Sequence, residues 1–436
     1  MIKGITEKFM GITNFIDLRD DFPILKHRIG NKPFIYFDNA ATTQIPCQVL
    51  DTIREVYTNF NANIHRSPHT LGLEATDLYV QAHENVARFI GAADGREIIF
   101  VRNTTEAINL VAYSLLSESG EGLHLRPGDE IVTTIMEHHS NLVPWQMVRD
   151  KAGVTLKILD IDDDGRLDLE KLKAAITGRT RLVCCSHVSN VLGTINPVEK
   201  IGRLAHQAGA LFLVDGAQSV PHIPVNVKQI DCDFLAFSGH KMLAPMGIGV
   251  LYGKRAVLEK MPPFLYGGDM IKNVSLERAT WNDLPWKFEA GTANVCGGIA
   301  LGGAEERKTH RQLEGALSYL KKLGMDQVRA HEISLTTHAM QGLKTIEDVQ
   351  LYGPSDAEQR GGILSFNVGN HDAHLVAQLF NDESIAVRAG DHCAYPLADR
   401  LGVGGTVRTS FYIYNTHDEV DRFIHTLRDI VKNKLI

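Results

Sequence analysis

Asp215 closes the apolar run ALFLVD and Lys241 follows the run CDFLAFS, so two strand ends bring a carboxylate and an amine toward one crevice. A lysine after a strand ordinarily returns to water with its ammonium solvated. Here Ser238, Gly239 and His240 precede it and the apolar GIGVLYG (247–253) follows. An amine between two buried stretches loses its proton easily and becomes a nucleophile. Such an amine, together with a carboxylate that keeps a pyridine nitrogen protonated, is what pyridoxal phosphate requires of a protein. Other uses of the lysine fit poorly: GxxxxGK[ST] is absent, and GIGVLYG reads as strand and opens no helix.

A phosphate needs a cradle. After the run EIIFV (97–101), Asn103, Thr104 and Thr105 open a helical pattern with Glu106 in its first turn. Backbone amides and hydroxyls at a helix start make an anion site, although a plain helix cap has the same sequence. With Ser238 and His240 just ahead of Lys241, a shared phosphate site is expected. In MEHHSN, His138 and His139 follow another strand, and side-chain alternation sends at most one of them into the crevice. No metal site is expected, because HExxH and comparable ligand spacings are absent.

The elements that must position these groups alternate. Strand-like runs lie at 97–101, 130–136, 155–161, 181–188, 210–215 and 232–238, with helical patterns at about 104–116, from Ser140, 167–177 and 198–208. This predicts an α/β fold with a mostly parallel sheet covered on both faces, and ligands bound beyond its carboxyl edge. The pattern changes near Lys287. A helical stretch over roughly 300–343, strands at 362–368, 385–390 and 406–414, a helix near 373–383 and a terminal helix from Thr416 predict a smaller α/β domain. The division reads as an N-terminal segment over 1–35 packing with the small domain, a large domain over 36–290 and a small domain over 291–436.

The 436-residue length suits one large core and a satellite domain. A net charge of −7 without a basic block argues against nucleic acid. No run reaches the ~18 apolar residues of a membrane span, and the opening MIKGITEKFM lacks a signal-peptide core. Six cysteines at 47, 184, 185, 232, 296 and 393 show no CxxC pairing, which suits a reducing cytoplasm. Cys184, Cys185 and Cys232 lie in or beside apolar runs, as packed thiols do. Cys393 instead occupies a polar loop beside His392 and near Arg388, the surroundings of a reactive thiol.

Taken together, YFDNAATT (36–43), NIHRSPHTLG (63–72), RNTTEAIN (102–109), MEHHSNLVPW (136–145), HVSNVLGT (187–194), VDGAQS (214–219), FSGHK (237–241), FEAGTANV (288–295), RAGDHCAYPL (388–397) and TVRTSFYIYNT (406–416) resemble the SUF-type cysteine desulfurases. These are class V, fold-type I pyridoxal phosphate enzymes, with a seven-stranded sheet in the large domain. The resemblance implies that Lys241 binds the cofactor covalently and then shuttles a proton, that Asp215 pairs with the ring nitrogen, that Gln218 bonds the ring oxygen, and that His138 stacks on the ring. It implies phosphate contacts from Thr105, Ser238 and His240, beside the Thr104 read from the helix start, and from Thr292 of the other subunit of a homodimer. Arg408 would bind the substrate carboxylate, Asn190 would lie beside the ring, and Arg388 and His65 would complete the site. The chain departs from the family at Ser67-Pro68, where glycine often follows His-Arg, and at Asp391, often a histidine.

The implied reaction converts L-cysteine to L-alanine, leaving a persulfide on Cys393 for an acceptor of the SufE or SufU type that feeds iron–sulfur assembly. Selenocysteine lyase activity on the same scaffold is the nearest alternative. An aminotransferase and a non-catalytic scaffold are more distant ones.

Overall fold

The computed structural model describes residues 15, 17–119, 122–306 and 312–432; residues 1–14 and 16 of the N-terminal segment lie outside them. The sheet predicted from the alternating runs is present. Its strands are β1 (Ile98–Val101), β2 (Glu130–Thr134), β3 (Thr155–Leu159), β4 (Thr180–Ser186), β5 (Leu211–Asp215), β6 (Phe234–Ser238) and β7 (Gly249–Gly253), in the order β1-β7-β6-β5-β4-β2-β3. Only β7 is antiparallel to its neighbours. Strands β5 and β6 are apolar almost throughout because helices cover both faces. One core packs Val183, Phe212, Val214, Leu235 and Phe237 on one face; another packs Leu182, Leu213, Phe234 and Ala236 on the other.

Local signals set the helices. Asn103 caps Thr104–Leu116, its Oδ1 accepting the Glu106 N–H at 3.0 Å, and Asp168 caps Leu169–Ala175. Gly153, left-handed at φ 66°, ends Val143–Ala152.

A second sheet, β8 (Val349–Tyr352), β9 (Ile363–Val368), β10 (Arg388–Gly390) and β11 (Thr406–Ser410), is antiparallel in the order β8-β9-β11-β10. Helices Met325–Leu343, Ala373–Asp382 and His417–Lys432 supply its core with Leu335, Phe380 and Phe423. Ile35–Tyr36 runs parallel to Ile385–Ala386, tying the chain's beginning to this unit.

Four expectations need correction. The run 385–390 is not one strand: Ile385–Ala386 and Arg388–Gly390 are separated at Val387 and lie in different sheets. The helical stretch over 300–343 is broken: one helix ends at Gly302, the next spans Ala316–Leu323, and Gly324 at φ 82° precedes Met325–Leu343. Glycines at these joints adopt conformations that a helix interior does not. The run 406–414 stays a strand only to Ser410, because Phe411–Tyr414 turn inward as buried side chains. The strand at 130–136 ends at Thr134. Ala300, Leu301, Leu317 and Leu320 pack in the first core, so we propose that the large unit extends through Leu323.

Candidate active site

A cavity of about 310 Å³ lies at the carboxyl edge of the large sheet, at the small end of ordinary ligand pockets (~300–1,000 Å³). Each wall is the continuation of a strand. Thr104 and Thr105 come from the helix after β1, His138 from the turn after β2, and Asn190 from the loop after β4. Asp215 and Gln218 follow β5, and Ser238, His240 and Lys241 follow β6. Arg388 and Arg408 close it from the small sheet together with Cys393. Thus the cavity gathers every predicted site residue except His65 and Thr292. His65 packs tilted against Trp286, ring centroids 4.2 Å apart, and Thr292 lines a different cavity with Gly247 and Glu289.

Electrostatics divide the cavity into distinct ends. Burial brings the Lys241 amine down to about 8, while Asp215 opposes that shift and Arg408 adds to it. Burial raises the Asp215 carboxyl, against the pull of the Ala217 N–H and of Lys241. A cationic group beside Asp215 would restore its ionised form. His138 is brought down to about 3 by burial and by the Lys241 charge, so it is neutral at working pH. Its Nδ1 accepts the Ser140 N–H at 3.0 Å, which fixes the ring's orientation.

At the opposite end, the Thr104 hydroxyl lies 2.7 Å from the Ser238 hydroxyl, and the Thr104 N–H donates to the same Ser238 oxygen at 2.9 Å. Hydroxyls beside a helix start suit a phosphate. Gln218 donates to the Ala40 carbonyl at 2.6 Å, while its buried Oε1 has no partner. An amine of low basicity, a buried carboxyl, a neutral imidazole, an anion cradle and an orphaned amide oxygen together fit pyridoxal 5′-phosphate.

The family model for aminotransferase class-V matches residues 35–423. The chain belongs to that family. Within the class-V aminotransferases it is similar to a cysteine desulfurase of Haloferax volcanii, at 46% identity over 94% of this chain and 95% of that one. It is also 50% identical to a probable cysteine desulfurase of Halobacterium salinarum, over 93% and 94% of the two chains. Among solved structures, the apo cysteine desulfurase of Thermococcus onnurineus NA1 superposes with a TM-score of 0.87 at 40% identity, over 96% of this chain and 98% of that chain. The Escherichia coli cysteine desulfurase CsdA gives 0.85 at 36%, over 97% and 99%.

The small-sheet wall of the cavity is built around Arg408. It is buried, and burial brings its guanidinium down to about 10 while Asp38 opposes the shift. It donates to the Asn190 carbonyl at 2.9 Å and lies 3.4 Å from the Asp38 carboxylate, yet its Nε has no partner. Asp38 also holds Arg388 at 2.9 Å. Asp38, in YFDNAATT, has no role legible in the sequence: a lone acid before a turn gives no sign that two distant arginines converge on it.

Cys393 is the one exposed cysteine of the six. Burial pushes the Cys184, Cys185 and Cys232 thiols up, in keeping with their place in apolar runs. His392 and Cys393 both adopt left-handed φ values, 54° and 59°. That conformation costs a non-glycine residue about 1–2 kcal/mol, and several contacts hold it. The Cys393 N–H donates to Asp391 at 2.8 Å, the Cys393 carbonyl accepts the His139 N–H at 2.7 Å, and Asn190 donates to the His392 carbonyl at 2.8 Å. The two histidines do diverge, but through a turn beginning at His139 rather than through strand alternation, since β2 has already ended. Among the described residues no helix is long and apolar enough to cross a membrane.

Proposed function

We propose that the chain works as a pyridoxal 5′-phosphate-dependent cysteine desulfurase whose sulfur passes through Cys393. The observation that carries this reading is that the exposed Cys393 thiol shares one cavity with Lys241, Asp215 and Arg408.

Bound pyridoxal phosphate supplies an electron sink for a substrate carbanion. Lys241 would hold the cofactor covalently, and its weakly basic amine would take the proton from the substrate Cα and return it. Asp215 would be the group that keeps the ring nitrogen protonated. His138 would offer a neutral face to the ring, Gln218 would meet its oxygen through the unpartnered Oε1, and Thr104, Thr105, Ser238 and His240 would hold the phosphate. Arg408 binds the L-cysteine carboxylate through its unpartnered Nε edge, with Asn190 and Arg388 completing that wall. The Cys393 thiolate attacks the substrate sulfur and becomes a persulfide. The electron pair of the broken carbon–sulfur bond stays with the carbon skeleton, which is protonated and leaves as alanine.

Thr292 and His65 lie outside this chain's own cavity, which supports a homodimer in which Thr292 reaches the second site. Exposed Met246, Tyr266 and Leu276 mark apolar surface for such a contact. The persulfide then serves an acceptor protein of the SufE or SufU type in the cytoplasm, upstream of iron–sulfur assembly.

Incubation of the purified yellow protein with L-cysteine tests the reading. Alanine should form together with a mass increase of one sulfur on Cys393. A protein that forms no alanine, or that forms it at full rate after Cys393→Ser, overturns it.

A further inference from the structure

Beside the cavity mouth, His139, Asp391 and Cys393 offer a nitrogen, a carboxylate oxygen and a sulfur that all lie within 4.8 Å of one another. Among the described residues this is the one group of three or more such side chains that close together. We propose that it is a binding site for a single divalent zinc-type cation, which reversibly locks the nucleophile.

The donor set argues for the ion. Thiolate, imidazole and carboxylate are the three ligand types that Zn²⁺ takes, and three protein ligands leave its fourth tetrahedral position open. Ligand bonds of about 2.0–2.3 Å place neighbouring donor atoms roughly 3.3–3.7 Å apart, so a spacing within 4.8 Å has to close by no more than about 1.5 Å. The sites allow it: Cys393 is exposed, and His139 and Asp391 are half-buried.

Asp391 and His139 are each oriented by a contact of their own. Asp391 uses Oδ2 for the Cys393 N–H, and a carboxylate has further lone pairs. His139 stacks on Tyr395 at 5.2 Å, and its Nε2 accepts the Tyr395 N–H at 3.0 Å. An ion at Nε2 competes with that contact, which makes the site releasable rather than structural. Binding is a ligand exchange: waters leave the hydrated cation as bonds form to the Cys393 sulfur, the His139 nitrogen and an Asp391 oxygen, and the thiol proton goes to solvent. A sulfur held this way cannot attack substrate. Asp391 is the member that distinguishes this chain, since it stands where the resemblance expects a histidine.

The test is equilibrium dialysis of the pyridoxal-loaded protein against zinc ion alone, with no cysteine present. One ion per chain should be retained, released by chelator, and lost in Cys393→Ser. Asp391→Asn keeps an acceptor for the Cys393 N–H and His139→Gln keeps a polar side chain; each should weaken binding by at least about tenfold, as losing even a supporting group does. Cobalt in place of zinc should give tetrahedral bands to the red of the cofactor, absent from Cys393→Ser. An intact cofactor band certifies that each variant is folded; if His139→Gln lacks it, Asp391→Asn decides. Zinc held equally well by Asp391→Asn, or no ion retained at one per chain, overturns the proposal. The site rests on the desulfurase reading only for its effect on catalysis, so a protein inert toward cysteine leaves the dialysis result readable.

Discussion

Arg388 and Arg408 are direct cross-strand partners on β10 and β11, and the Asp38 carboxylate takes both guanidiniums, at 2.9 and 3.4 Å. Like charges placed opposite each other in a sheet repel. Asp38 therefore does two things at once: it offsets that repulsion and it aims Arg408 into the cavity. Asp38→Ala should leave the cofactor bound but raise KM for L-cysteine. Loss of a charged hydrogen bond is worth about 1.5–3 kcal/mol, or roughly 10–100-fold in kcat/KM. Steady-state kinetics check this, and an unchanged KM would show that Arg408 needs no such support.

The Lys241 amine titrates near 8 in the free protein because burial disfavours its charge. Only the neutral amine attacks an aldehyde. Capture of pyridoxal phosphate by cofactor-stripped protein should therefore accelerate with pH up to about 8 and level off above it. An ordinary lysine would keep accelerating toward about 10.4. Stopped-flow absorbance measures the rate, and Lys241→Ala should show no capture at all.

Replacing Lys241 by alanine should also lower alanine formation by about 10²–10⁴-fold or more, the span that proton transfer by a positioned group contributes. Added small amines should restore part of the lost rate, because the cavity and Asp215 remain. Absence of any rescue would place the proton shuttle elsewhere.

Acid should destabilise the fold early. Burial holds His138 at about 3, His187, His240 and His331 at about 4 and His392 at about 2, all below the usual 6.5. Below about 6.5 the unfolded chain binds protons that the native chain does not, so stability falls as pH drops toward 4. Glu137, raised to about 7 by burial, acts in the opposite sense, being protonated in the native chain while ionised in the unfolded one. Five histidines outweigh it. Urea midpoints from pH 7.5 to 4.5 should decline steadily; a flat profile would mean that these rings are protonated in the native state.

The sequence by itself determined the class of fold and most of the cavity wall. Alternating apolar runs and helical stretches dictate a parallel sheet, and polar residues just past the strand ends, from Thr104 to Lys241, must meet at its carboxyl edge. The contrast between Cys393 and the cysteines in apolar runs was equally legible, because burial follows local composition. Tertiary structure alone decided what depends on long-range contact. Asp38 becomes a bridge only because the first segment docks against a sheet built from residues some 350 positions later. His139 meets the Cys393 carbonyl only because the two units close on each other. The left-handed pair at His392 and Cys393 is held by Asn190, Asp391 and His139 together. Local sequence sets the preference of each segment, whereas charge pairing and strain relief are properties of the assembled core.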